Sequence, residues 1–95
     1  MEATVIVRHN PSASRYEADV ESRQIVAEYT RTGDVLTFTH TFVPPELRGR
    51  GFARHLVRCA LEDVRLQQQR IVPECPYVAA FIRRNPEFQP LVAAP

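Results

Sequence analysis

His40-Thr41-Phe42-Val43-Pro44-Pro45-Glu46-Leu47-Arg48-Gly49-Arg50-Gly51-Phe52-Ala53-Arg54-His55-Leu56-Val57 is the stretch in which the hydrophobic period changes. Up to Val43 the pattern has the two-residue period of a strand. Beyond Gly51, Ala53, Leu56, Val57, Ala60, Leu61 and Val64 recur at three- and four-residue spacing, the stripe of a helix packed on a sheet. Pro44-Pro45 ends the strand, because neither residue can donate a ladder hydrogen bond.

Working back from this junction, Val35–Val43 is the longest strand expected, with Leu36, Phe38, His40 and Phe42 on one face and Thr37, Thr39 and Thr41 on the other. Thr32-Gly33-Asp34 closes a hairpin onto Gln24–Arg31, where Ile25, Ala27 and Tyr29 oppose Val26, Glu28 and Thr30. Arg15–Val20 alternates too, and Asn10-Pro11-Ser12 turns it back onto a first strand at Thr4–Arg8. Working forward, Arg54, Arg58 and Glu62 support the long helix from its outer face. Ile71-Val72 makes a fifth strand, Pro76 opens a shorter helix through about Arg83, and Asn85-Pro86 stops it. The tail from Phe88 to Pro95 is expected over the surface. The order β-β-β-β-α-β-α predicts an α+β fold: a mostly antiparallel five-stranded sheet with two helices, in one domain spanning residues 1–95.

Ninety-five residues with 44% apolar content make one modest core rather than a disordered chain. No apolar run approaches the roughly 20 residues that span a bilayer. The N-terminus has no basic then apolar signal pattern, and two unrelated cysteines make no disulfide framework; a cytoplasmic address is expected. The formal net charge of +1 argues against a general nucleic-acid binder. All twelve basic residues are arginine, which excludes a Schiff-base or P-loop lysine.

The Arg48–Ala53 turn carries the chemistry. Gly49 and Gly51 tolerate positive φ and let backbone N–H groups converge at the positive end of the following helix, a site for a phosphate or pyrophosphate. Arg48 and Arg50 add positive charge, and Ala53 keeps the helix start narrow. An isolated Arg-Gly-Arg-Gly also reads as a plain flexible loop; the Pro-Pro before it and the helix after it favour the anion site. No Gly-Lys-Ser/Thr follows, so it is no Walker loop, and it lacks the parallel βαβ unit of a dinucleotide fingerprint.

Arg48-x-x-Gly51-x-Ala53 resembles the Q/R-x-x-G-x-G/A motif of GNAT acetyltransferases. His40-Thr41-Phe42-Val43-Pro44, Arg48-Gly49-x-Gly51-x-Ala53-x-x-Leu56, Pro73-x-Cys75-x-Tyr77-Val78 and Arg84-Asn85-Pro86 extend the resemblance, from about His40 to Leu91, to a minimal single-domain GNAT-like family. That resemblance implies acetyl-coenzyme A as cofactor. The backbone amides of Arg48, Gly49, Arg50, Gly51, Phe52 and Ala53 would hold its pyrophosphate. Its pantetheine arm would lie beside Phe42 and Val43, in a splay between strands four and five. The implied activity is N-acetyl transfer to an exposed amine (a protein lysine, a peptide or a polyamine); the alternative is a binding module for the coenzyme without chemistry. Full-length relatives wall the acceptor site with helices after the first strand, where this chain has only Asn10 to Ser14, so an open acceptor side is expected. They also often place an acidic tyrosine near the end of the last helix, where this chain has Phe81.

Two residues are candidates for catalysis. Cys75 precedes Pro76 and so caps the second helix, where the dipole favours a reactive thiol; it would accept the acetyl group, protonate the coenzyme thiolate, or simply pack as a small apolar residue. His40 offers a general base, or a core-edge imidazole satisfied by a hydrogen bond. Arg84 and Asn85 would reach the coenzyme's phosphates, or serve as helix caps. Tyr77 would donate a hydroxyl near the coenzyme or, as the favoured expectation for a first-turn tyrosine, pack under the sheet; Cys59 is expected to pack on the long helix, and His9 and His55 to lie outside any site. Three dispersed histidines suggest no metal. A monomer or weak edge-paired dimer is expected.

Overall fold

The computed structural model describes residues 5–93. Five strands form one sheet in the order β1-β2-β3-β4-β5: β1 Arg8–Asn10, β2 Arg15–Val20, β3 Arg23–Thr32, β4 Val35–Phe42 and β5 Arg70–Pro73. The first four pair antiparallel, and β5 pairs parallel to β4 after the crossover through helix α1, Phe52–Leu66. Helix α2, Pro76–Arg84, follows β5. Short 3-10 turns occupy Pro11–Ala13, Pro45–Leu47 and Pro86–Leu91. The expected α+β order is observed. Only the turn at Pro11–Ala13 stands between β1 and β2.

The hairpins follow from local chemistry. Glu21 and Ser22 both take positive φ, 51° and 66°, in a two-residue turn that suits the strand twist. The β3–β4 turn uses Gly33 at φ 61°. The α1 stripe of Leu56, Val57, Ala60, Leu61 and Val64 is buried against Tyr16, Ala18, Ile25 and Ala27 of the sheet.

Three expectations need correction. The first strand is Arg8–Asn10 rather than Thr4–Arg8; Val5–Val7 lie outside the sheet, and Thr4 lies outside the described residues. β-Branched composition favours a strand, but the pairing that β2 offers decides where it forms. Phe88 is no surface tail: it is fully buried against Phe81, with Arg58 and Arg65 guanidinium groups over its ring, and Val92 bridges to Ile71. Strand β4 does not keep one alternation. Tyr29 pairs with Phe38 and Glu28 with His40, so Thr39 is an extra residue, a β-bulge. The bulge inverts the facing of the rest of the strand. Leu36 and Phe38 are buried under the helices, whereas His40 and Phe42 turn to the open face and Thr41 and Val43 turn inward.

Candidate active site

Pairing between β4 and β5 ends at Phe38 and Pro73, while β4 continues to Phe42. The Cys75 N–H donates to the Phe38 carbonyl at 2.8 Å, and there the chain leaves the sheet for α2. The strands therefore part between Thr41 and the start of α2. A cleft of about 430 Å³ occupies this end of the molecule, lined by Thr41, Val43, Leu47, Arg48, Gly49, Gly51, Phe52, Ala53, Arg54 and Tyr77.

One end of the cleft is the start of α1. Gly49 and Gly51 take φ 79° and 87°, a region L side chains rarely adopt. Gly51 is the cap residue and offers no side chain to the first-turn amides. The helix-closing bond from His55 N–H to Gly51 carbonyl, 3.1 Å, begins only at the fourth residue. The first turn carries no acidic residue; it carries Arg54, which reaches into the cleft. A helix start normally recruits a carboxylate or hydroxyl to these donors. Here the donors and a guanidinium face open space, which fits a phosphate group. Apolar Val43, Leu47, Phe52 and Ala53 continue the cleft toward Thr41 and fit a thin, extended arm. The residues present therefore fit a coenzyme pyrophosphate and its pantetheine.

Arg48 is anchored within the chain, its Nε donating to the Val43 carbonyl at 2.8 Å and its guanidinium lying over the Phe42 ring. Arg50 turns away from the cleft, pairs with Glu21 at 2.6 Å and stacks over Phe52. The Arg50 side chain is thus held outside the cleft, although its backbone belongs to the turn.

A model of the GCN5-related N-acetyl-transferase family matches residues 15–91. The chain belongs to that family. Protein NATD1 of Bos taurus is 38% identical over 52 residues, a stretch covering 55% of this chain and 46% of the relative. The chain thus matches about half the length of that protein. NATD1 of Xenopus tropicalis is 30% identical across 90% of this chain and 91% of its own length. The solution NMR structure of a GCN5-like putative N-acetyltransferase from Staphylococcus aureus superposes with a TM-score of 0.71 at 15% identity, covering 95% of this chain and 89% of that one. That likeness is one of fold.

The remaining candidates divide between the two sides of the β4–β5 opening. Cys75 is the α2 cap residue, as expected, and is buried at 5% exposure behind Thr41, whose Oγ1 lies 3.5 Å from its Sγ. His40 is exposed on the open face, its ring stacked near Phe42 and its Cα opposite Glu28. The structure thus brings Val43, Arg48, Gly49, Gly51, Phe52 and Ala53 to the cleft, and leaves His40 and Phe42 across the sheet from it. Arg84 and Asn85 line an adjoining hollow of about 390 Å³ that shares Arg54 and Tyr77 with the cleft. Asn85 also caps α2, its Nδ2 donating to the Phe81 carbonyl at 2.9 Å and its Oδ1 accepting from Arg58 at 2.8 Å.

Sequence reasoning missed Thr41, Leu47 and Arg54. Tyr77 does not pack under the sheet; it is exposed on the cleft wall while Val78, Phe81 and Ile82 are the buried face of α2. That helical spacing was legible in the sequence and pointed Tyr77 outward. Burial raises its phenol above the ordinary value, with Arg54 and Arg84 pulling the other way. Near neutrality Tyr77 is therefore a proton donor. Cys59 is half-buried on α1 and its thiol is also pushed up by burial. His55 Nε2 donates to the Val5 carbonyl, 2.9 Å away, outside the cleft. Among the described residues no helix is long and apolar enough to cross a membrane, and no group of three metal-ligating side chains occurs.

Proposed function

We propose that the chain works as one domain that transfers acetyl from acetyl-coenzyme A to an exposed amine, of a protein lysine, peptide or polyamine. The observation that carries this reading is the start of α1, which has no side-chain cap and presents glycine backbone and Arg54 to a cleft walled in part by apolar side chains. The amides of Arg48 to Ala53 and the Arg54 guanidinium would hold the pyrophosphate. Val43, Leu47 and Phe52 would hold the pantetheine arm and exclude water from it. The coenzyme supplies an activated acyl carbon. Tyr77, on the cleft wall, would donate its hydroxyl to the coenzyme as a hydrogen-bond donor. His40, on the open side, would take the proton that the amine loses. The position of Cys75 behind Thr41 favours a proton-donor role over a covalent acetyl carrier.

Calorimetric titration with acetyl-coenzyme A is expected to show saturable one-to-one binding, and an amine panel to show turnover. No binding would overturn the reading. A second reading, a coenzyme-binding module without turnover, draws on one observation: among the described residues no carboxylate lines the cleft to act as base. Binding without turnover on any amine would establish it.

A further inference from the structure

The bulge at Thr39 gives Thr41 a position that alternation counted from Phe38 does not predict. The Thr41 side chain is half-buried, lines the cleft, and lies 3.5 Å from the Cys75 sulfur. Cys75 is held from both sides: its N–H donates to the Phe38 carbonyl, and its own carbonyl accepts from Ala79 N–H at 3.0 Å. Those bonds fix the Cys75 backbone, and its thiol's hydrogen-bonded link to the cleft is Thr41. A hydroxyl both accepts and donates, so it can serve the thiol behind it and a group in front of it together.

We propose that Thr41 is a catalytic residue that relays a proton from Cys75 to the sulfur leaving the acyl carbon. The step rests on the acetyl-coenzyme A reading above. Thr41 Oγ1 gives its proton to the departing sulfur and takes one from Cys75 Sγ. As the carbon–sulfur bond breaks, the carbon–nitrogen bond of the amide forms. His40 takes the proton lost by the acceptor nitrogen and releases it to solvent, and a proton from solvent returns to the Cys75 sulfur through Thr41 once the product has left, so that all three side chains are restored.

The test uses the full chain with Cys59→Ser, so that Cys75 is the single thiol, and compares it with Thr41→Val, Thr41→Ala and Thr41→Ser on that background. Three readings are taken: acetyl-coenzyme A affinity by calorimetry, kcat on an amine panel, and the pH profile of Cys75 alkylation by iodoacetamide. Thr41→Val and Thr41→Ala are expected to bind the coenzyme within about threefold and to lose about tenfold or more in kcat, the lower end of general-acid effects. They are also expected to displace the alkylation profile, and Thr41→Ser to restore both. An alkylation profile unchanged by both substitutions overturns the relay, whether or not any amine is turned over. Unchanged kcat overturns it as well. Failure of the parent chain to bind acetyl-coenzyme A would remove the acyl-donor reading and the relay together, whereas intact binding with an unchanged profile would remove the relay alone.

Discussion

The two ends of helix α1 meet the polar-group problem in opposite ways. At its start, Gly51 leaves the first-turn amides without a side-chain cap and Arg54 extends into the cleft. Near its end, Asp63 accepts from the Tyr16 hydroxyl at 2.6 Å, and His9 joins Tyr29 at 2.6 Å while its other ring nitrogen lies 3.7 Å from Asp63. The His9 ring stacks on Tyr16 at 4.2 Å with a 9° interplanar angle. One end holds donors that the chain does not satisfy; the other ties β1, β2, β3 and α1 together through groups that satisfy one another. Affinity should reside at the first and stability at the second. Asp63→Ala is the strongest challenge to this division. It leaves the buried Tyr16 hydroxyl without its acceptor, so unfolding free energy should fall by about 2–3 kcal/mol in a denaturant titration. Coenzyme affinity of the folded fraction should stay within about twofold. A parallel loss of affinity would mean that the two ends are not separable.

Gly51→Ala probes the other end. The new Cβ sits at φ 87°, strained for any L residue, and meets Arg54 Nη2 at 3.5 Å. Displacing the turn should lower acetyl-coenzyme A affinity by about tenfold, roughly 1.4 kcal/mol, with a stability cost of about 1 kcal/mol. If affinity survives, the amides of this turn are not the anion site.

The network end also has a pH signature. Burial, and then the bond to Asp63, raise the Tyr16 phenol above its ordinary 10.0, with Arg31 opposing. A raised phenol stabilises the fold fully below that ordinary value and loses the contribution as pH climbs above it, because the unfolded chain ionises first. Stability should therefore fall by about 1 kcal/mol on this group's account between pH 10 and 11. Tyr16→Phe should flatten that part of the slope, and an unchanged slope would assign it to other groups.

These two ends were unequally legible. The Arg48–Ala53 turn announced itself because only glycine meets its backbone requirement and because the period changes around it. The network did not. His9, Tyr16, Tyr29 and Asp63 are brought together by pairing across three strands and a helix, and no local spacing links residues separated by 47 positions. The bulge was equally hidden: Thr39 is an ordinary strand residue, and the apolar alternation runs through it unbroken to Phe42. A one-residue slip there moves His40 from the expected core-edge face to the open one, and brings Thr41 to the cleft. Strands β2 to β4 and both helices were readable because burial repeats along each of them. The Phe88 tail was not, since a single aromatic residue carries no period.

The smallest effect expected lies at the border of the cleft. Glu21, in the β2–β3 turn, pairs with Arg50, and Arg23 pairs through two bonds with Glu46, so the hairpin is clasped to the Arg48–Ala53 turn and to the segment before it. These pairs lie in solvent, where charge attraction is screened and side-chain ordering opposes it. Yet Arg50 is the one guanidinium of the turn whose side chain is held outside the cleft. Releasing it with Glu21→Gln frees a positive charge near the site while loosening the clasp, and the two consequences oppose each other. The coenzyme affinity should therefore change by less than about threefold, and any change should vanish at high salt. A larger, salt-resistant loss would show that the hairpin holds the turn in shape. Part of the affinity assigned to the start of α1 would then belong to the strands that brace it.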